Sequence, residues 1–178
     1  SGTGGLTGDG RVLNVDANAI QVPSCYPDVP GVRQDIADYY GAIEVIDSIF
    51  GAVVDALAAN GQLTNTLILF TGDHGIGLHR AKQSAYGAGL HVPLLMSGPG
   101  MTGQRQITAP VSHTDLAPTF VDFAGLPKFE TMTGKSLLPI FKGQFNAFPD
   151  RATVLAASHH RYDARAVCDG RYYYIRNL

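Results

Sequence analysis

The chain has 178 residues, of which 45% are hydrophobic and 16% charged, and its formal net charge is −2. This length accommodates one sizeable core with little beyond it. The charge balance lacks the basic footprint of a nucleic-acid-binding protein, and the longest apolar runs fall far short of the roughly 18 residues of a transmembrane helix. The first residues show neither the basic nor the apolar region of a signal peptide. We therefore expect no nucleic-acid partner and no transmembrane segment.

Residues 1–27 are rich in Gly, Asn and Pro, which predicts extended or irregular chain. Between Asp28 and Leu57, apolar residues recur every three or four positions, as is typical of an amphipathic helix. Asp28 is the predicted N-cap, with Pro30 in the first turn. Asn60 and Gly61 form the predicted C-terminal stop.

The next elements indicate a layered fold. Residues 66–71 form an apolar, β-favouring run that predicts a buried parallel strand, and 91–96 predict a second strand after a glycine-rich loop. Residues 112–124 predict a short helix that begins at Ser112 or Thr114 and ends at Gly125. Since a helix followed by a buried strand is typical of layered proteins, we expect an α/β fold.

The end of the chain has a different pattern. Three short candidate strands are present: 152–157, 164–168 and 172–175. Asp169-Gly170 lies between the last two and predicts a tight hairpin. We therefore expect an α/β part over 1–150 and a small antiparallel β segment over 151–178.

Asp73 and His74 are the first candidate site residues, because they follow directly on the predicted strand 66–71. Ligands of open α/β sheets collect at the carboxyl ends of strands. A carboxylate beside an imidazole can supply two ligands to one divalent metal, and Gly72 and Gly75 would let the backbone turn tightly there. An isolated Asp-His-Gly is more often a surface turn than a metal site, so the tripeptide alone is weak evidence for a metal.

An ordered set of motifs resembles the second half of the sulfatase family. These motifs are 65–75 around Asp73-His74-Gly75, Lys82, 92–95, 97–100, 114–120, 124–127 and 134–139. Several matches in the family's order are much harder to obtain by chance than one. Segments 22–40 and 158–178 are also similar to the heparan N-sulfatase (sulfamidase) branch. The resemblance implies the C-terminal portion of a sulfatase-like layered sheet with flanking helices, followed by a small antiparallel subdomain.

The resemblance implies roles for three residues. Asp73 and His74 would hold a divalent cation, usually calcium in this family, and Lys82 would bind the sulfate and stabilise the leaving oxygen. Calcium prefers oxygen ligands, so on physical grounds alone the imidazole of His74 leaves zinc or manganese open. Without the family context, a lysine in a loop is usually only solvated.

The remaining histidines are assigned by position. His159 and His160 lie in a segment that resembles the sulfamidase tail near the active site, which implies substrate binding or proton transfer. A purely structural pair of histidines is an equal alternative. His79 shares the loop of Lys82 and can reach the same cleft. His91, at the start of a strand, and His113, before a helix, are expected to be structural.

A sulfatase also needs a nucleophile, which in this family is formylglycine made from Cys or Ser in a Cys/Ser-x-Pro-x-Arg motif. Cys25 to Val29 begins like this motif but has Val29 in place of the arginine. The family's paired aspartate ligands are absent as well. We therefore expect the C-terminal fragment of a longer enzyme, inactive alone, with its formylglycine outside this chain.

The expected function is metal-dependent hydrolysis of a sulfate ester or sulfamate on a sulfated carbohydrate. One alternative is a phosphate or phosphonate ester hydrolase of the wider alkaline phosphatase superfamily, and another is a noncatalytic remnant of the sulfatase fold. The low charged fraction predicts a face covered by the missing N-terminal half or by self-association. The resemblance also implies a periplasmic or secreted location.

Overall fold

The computed structural model describes residues 5–6, 12–13, 15–101, 103, 106–144, 153–159 and 162–177. Within these ranges, residues before 15 and residues 153–163 are described by their backbone alone. The chain divides into two compact units, Ser1–Thr64 and Asn65–Leu178. The boundary expected between 150 and 151 lies inside the second unit and stays a prediction.

The first unit contains the predicted long helix. This helix, α1, spans Pro30–Ala59. Two short antiparallel strands, β1 (Gly5–Leu6) and β2 (Val12–Leu13), and a 3-10 turn at Ala17–Ala19 precede it. Pro30 occupies the first helical position, and Gly61 follows the C-cap with a φ of +68°, as a helix stop requires. Among the described helices, none combines the length and apolarity needed to cross a membrane.

The predicted N-cap of α1 is wrong. Val29 is the N-cap residue, and it makes no side-chain capping bond. Asp28 instead pairs with Arg33, whose Nη2 donates to its Oδ2 over 2.7 Å. The hydrogen bonds from Arg33 lower the pKa of Asp28. A bidentate guanidinium is a stronger partner for a carboxylate than a peptide N–H, and Pro30 has no N–H to be capped.

The second unit begins with the two predicted strands. β3 (Ile68–Thr71) pairs with β4 (Leu94–Ser97). The pairing is antiparallel and the four residues of β3 are only half-buried, so the prediction of a buried parallel strand is wrong. A parallel pair needs a crossover, usually a long helix. The connection here contains only the four-residue helix α2 (Gly87–Leu90), and the chain doubles back.

The predicted helix after β4 is confirmed, with a more complex start. A 3-10 turn at His113–Asp115 continues into α3 (Leu116–Phe123). Ser112 caps the turn with its side chain, and the Asp115 carboxylate accepts the backbone N–H of Ser112 in return over 2.8 Å. This reciprocal arrangement is a capping box. Gly125, with a φ of +68°, ends the helix as predicted.

A small core lies beneath β4. It is centred on Leu137 and on Ile140 of the short helix α4 (Leu138–Phe141), both at most 2% exposed. The partly buried side chains around them are Leu94, Met96, Ile107, Val111, Leu116 and Phe141. These contacts tie β4 to α3 and α4 and fix the sheet that precedes the candidate site.

The predicted antiparallel segment is confirmed. Its strands are β5 (Thr153–His159), β6 (Tyr162–Cys168) and β7 (Tyr173–Asn177), in the order β5-β6-β7. The hairpin between the last two is closed by the Asp169 N–H, which donates to the Tyr172 carbonyl over 3.2 Å. The Asp169 carboxylate accepts the N–H groups of Tyr172 and Arg171, which lowers its pKa. Gly170 has a φ of +88°, which favours glycine.

Candidate active site

Asp73 and His74 lie side by side, two and three residues beyond the end of β3. Asp73 Oδ2 is 3.4 Å from His74 Nε2, and the two side chains are 88% and 40% exposed. His74 Nδ1 is 2.9 Å from the carbonyl oxygen of Gly75. Because a carbonyl only accepts, Nδ1 carries the hydrogen, and the Nε2 of a neutral ring keeps its lone pair. With the ring neutral, one oxygen and one nitrogen lone-pair donor therefore lie side by side beyond the end of the strand.

This donor set fits two positions around a divalent cation. A ligating imidazole characteristically donates its second N–H to a carbonyl, as His74 does to Gly75. Within the described residues there is no group of three or more His, Cys, Asp or Glu side chains that could hold a metal by itself. Asp73 and His74 thus fit as part of a coordination sphere and do not complete one.

The loop after Asp73 folds back on itself, and the backbone of Lys82 returns to Ile76. The Lys82 N–H donates to the Ile76 carbonyl over 2.9 Å, and the Gly75 N–H donates to the Gly89 carbonyl over 3.0 Å. Arg80 and Gln83, on either side of Lys82, have left-handed φ angles of 62° and 64°. Such angles are uncommon for residues with a Cβ and cluster at functional sites. The Lys82 side chain is exposed.

Gly75 and Gly89 allow this close folding because they lack a side chain. A Cβ on Gly75 would lie 1.8 Å from the Ala88 carbonyl oxygen, and one on Gly89 would lie 2.2 Å from that of Ala81. Glycine at position 75 was expected for its backbone freedom. The structure gives a different reason, which is the space that the returning chain occupies.

Gly75→Ala is therefore expected to disrupt the loop. The new methyl group meets backbone, which cannot yield as a side chain tip can, and we expect a loss of about 1–3 kcal/mol in the free energy of unfolding. Thermal unfolding and hydrogen exchange over residues 72–90 measure it. Gly77→Ala is the matched control, since nothing lies within 4 Å of its Cβ position. Equal unfolding temperatures for the two variants would contradict this packing.

His113 makes the structural contact expected of it, and the contact lies near the site. Its Nε2 is 3.1 Å from Thr71 Oγ1. Thr71 Oγ1 donates its own hydrogen to the Pro93 carbonyl over 2.8 Å, so His113 is the donor to Thr71. The bond joins the start of α3 to the end of β3, two residues before Asp73. Sequence reasoning could not find this pair, because 42 positions separate the two residues.

The small sheet packs on the loop that carries Lys82. Ala85 of the loop and Ala166 of β6 are 4% and 2% exposed and form one core cluster. Leu90, Ala164 and Ile175 surround it. The Tyr173 hydroxyl donates to the Ala85 carbonyl, and partial burial raises the pKa of Tyr173. The tail of the chain therefore supports the loop.

The structure describes the two histidines predicted for substrate binding only in part. His159 ends β5 and pairs in register with Tyr162, but its side chain lies outside the described residues. His160 lies outside them altogether. His79 is exposed in the loop of Lys82. The roles of Asp73, His74, Lys82, His159 and His160 stay predictions at this point.

Comparison with known proteins identifies the family. Residues 10–126, more than half of the chain, match the Sulfatase family, and this match includes Asp73, His74 and Lys82. The chain therefore belongs to the sulfatase family.

Particular relatives and structures are similar over most of the chain. Arylsulfatase K of Gallus gallus is 41% identical over 113 residues, covering 61% of this chain and 21% of that protein. A phosphonate monoester hydrolase from Silicibacter pomeroyi superposes with a TM-score of 0.71 at 26% identity, covering 85% of this chain and 35% of its own. A structure described as a 2-O GAG sulfatase gives 0.67 at 26% identity, covering 86% and 35%.

These similarities confirm the predicted sulfatase-like α/β fold. The chain spans about a fifth of the length of the arylsulfatase K and about a third of each structure. The sulfatase prediction is confirmed at the level of the family. The narrower assignment to the heparan N-sulfatase branch stays a prediction, because the similar proteins above are an arylsulfatase K and a 2-O GAG sulfatase.

Proposed function

We propose that this chain supplies part of the metal- and sulfate-binding site of a sulfatase that removes sulfate from sugars. The observation that carries the proposal is the Asp73–His74 pair at the end of β3, with two lone-pair donors 3.4 Å apart. The family match includes both residues. Similarity to a 2-O GAG sulfatase supports a sulfated sugar as the substrate.

The proposed roles follow from the chemistry of each side chain. Asp73 Oδ2 and His74 Nε2 act as two ligands of a divalent cation, for which calcium is our proposal. When bound, this cation supplies positive charge beside the sulfate oxygens. Lys82 binds the sulfate and offsets the negative charge that develops on the leaving oxygen. His159 and His160 are proposed to contact the sugar.

The remaining parts of the site are proposed to lie outside this chain. They are the formylglycine nucleophile and the other cation ligands. Further ligands are needed because Asp73 and His74 supply only two donors, and no third joins them among the described residues. The finer proposal is a heparan N-sulfatase-like activity on a sulfamate, in a periplasmic or secreted enzyme. The similarity to a phosphonate monoester hydrolase makes hydrolysis of a phosphonate monoester the competing reaction.

Two esters of the same leaving group distinguish these reactions. The intact natural polypeptide is assayed with 4-nitrophenyl sulfate and with the 4-nitrophenyl monoester of phenylphosphonate, so that only the group under attack differs. We expect kcat/KM to favour the sulfate by about tenfold or more, which is about 1.4 kcal/mol of transition-state free energy. Faster hydrolysis of the phosphonate would contradict the proposal. Hydrolysis of neither ester, and of no N-sulfated or O-sulfated glucosamine, would indicate a noncatalytic sulfatase fold.

A further inference from the structure

One face of the β6–β7 hairpin carries exposed arginine and tyrosine side chains. In an antiparallel pair, residues opposite each other in register project to the same side of the sheet. Ala166 is opposite Ile175, and both pack towards Ala85. The alternate residues therefore project away from the loop. We call this exposed set the Arg-Tyr face, and its members are Arg165, Tyr172, Tyr174 and Arg176.

The charges of this face are not balanced within the described part of the chain. Arg165 is directly opposite Arg176, and like charges in this arrangement are destabilising. The Arg165 guanidinium donates to the Ala164 carbonyl over 3.3 Å, and no carboxylate whose side chain the structure describes forms an ion pair with either arginine. The carboxylate of Asp169, at the nearby turn, is occupied by two backbone N–H groups.

The aromatic residues extend the face along β7. Tyr172 and Tyr174 are 64% and 62% exposed, so both present a large, partly apolar surface to solvent. Residues two apart in a strand are about 7 Å apart on one face, so Tyr174 and Arg176 are neighbours on β7, and Tyr172 directly precedes the strand. The Arg171 guanidinium lies 5.1 Å from the centre of the Tyr172 ring and adds a third cation. This concentration of arginine contrasts with the net charge of −2 for the whole chain.

We propose that the Arg-Tyr face binds a sulfated sugar chain. Guanidinium groups donate paired hydrogen bonds to oxyanions, and an anion between Arg165 and Arg176 relieves their repulsion. Exposed tyrosine rings offer flat apolar surface with a polar tip, which suits the C–H faces and hydroxyls of sugars. The opposite face of the same strands packs on the Lys82 loop, so the Arg-Tyr face lies on the side of the sheet turned away from that loop and is open to a ligand of its own. The choice of a sulfated sugar rests on the proposed function.

Binding of a size-defined heparin oligosaccharide to the intact natural polypeptide tests this face by calorimetry. We expect R165Q/R176Q to raise Kd by about tenfold or more and to flatten its dependence on salt. R165K/R176K keeps the positive charges but lacks the paired N–H donors of guanidinium. Its Kd should lie between that of the unchanged polypeptide and that of R165Q/R176Q. The matched control is K135Q/K142Q, which removes two exposed cations elsewhere in the second unit and should change Kd far less.

Tyr174→Ser tests the aromatic part of the face separately. We expect it to raise Kd several-fold without changing the salt dependence, because stacking involves no counterion release. Circular dichroism and thermal unfolding establish that each variant remains folded. An equal loss of binding in R165Q/R176Q and K135Q/K142Q would overturn the proposal. Equal affinity for fully desulfated heparin would overturn the choice of ligand.

Two separate readouts distinguish this inference from the proposed function. Hydrolysis of 4-nitrophenyl sulfate tests the catalytic proposal, and heparin binding tests the face. A polypeptide that hydrolyses the ester but binds heparin independently of Arg165 and Arg176 contradicts the inference alone. A polypeptide that binds heparin through these arginines but hydrolyses no sulfate contradicts the proposed function alone.

Discussion

Asp115→Ala is expected to lower the free energy of unfolding of the second unit by roughly 3–5 kcal/mol. Asp115 is fully buried. Its Oδ2 accepts the N–H of Ser112 and its Oδ1 accepts the N–H of Lys135, each over 2.8 Å. Alanine removes both acceptors, so two backbone N–H groups lose their partner and the capping box is lost. Thermal unfolding should show a fall in Tm of about 10 °C or more.

Asp122→Ala is the matched control for Asp115→Ala, because Asp122 lies on α3 and is exposed. Its carboxylate accepts only a surface hydrogen bond from Ser136, and we expect a loss below about 1 kcal/mol. Asp115→Asn keeps one acceptor oxygen and should give an intermediate Tm. If Asp115→Ala and Asp122→Ala unfolded at the same temperature, the buried carboxylate would not hold this region together.

Asp73→Asn is expected to lower sulfate ester hydrolysis by the intact natural polypeptide more than about 100-fold, since losing a metal ligand costs more than losing its supporting bonds. The same change should leave Tm almost unaffected, because the Asp73 side chain is 88% exposed. Asn keeps one oxygen donor, so excess calcium should restore part of the rate. Steady-state rates at rising calcium concentration measure both effects.

Asp122→Asn makes the same chemical change at an exposed carboxylate of α3. We expect its hydrolysis rate and calcium dependence to match those of the unchanged polypeptide. A full rate for Asp73→Asn would exclude Asp73 from the catalytic centre. A joint fall of rate and Tm, with the fall in Tm persisting in calcium-free samples, would assign Asp73 a structural role in place of metal binding.

The elements readable from sequence were those with a local signal. The periodicity before Asn60 predicted α1, and Asp169-Gly170 predicted the last hairpin. Strand direction was not readable, because an apolar run such as 66–71 carries no information about its partner strand. Asp28 had the right position for a helix cap, yet the Arg33 side chain, one turn further on, takes its carboxylate.

In the candidate site, too, the features that are local in sequence were predictable and those that depend on folding were not. Asp73 and His74 are adjacent in sequence, so their pairing was visible as a motif. The bond between His113 and Thr71 and the packing of Gly75 on Ala88 depend on chain segments that meet only after folding. The opposition of Arg165 and Arg176 depends on strand register, which composition does not determine.

The central proposal is that Asp73 and His74 form part of a sulfatase site whose nucleophile and other cation ligands lie outside this chain. The most direct test is to sequence the natural message upstream of Ser1 and to determine the nucleophile of the native protein by peptide mass spectrometry. We predict a Cys/Ser-x-Pro-x-Arg motif with its first residue converted to formylglycine, together with upstream aspartate ligands. A natural polypeptide that starts at Ser1, with no partner chain carrying that motif, would contradict the claim.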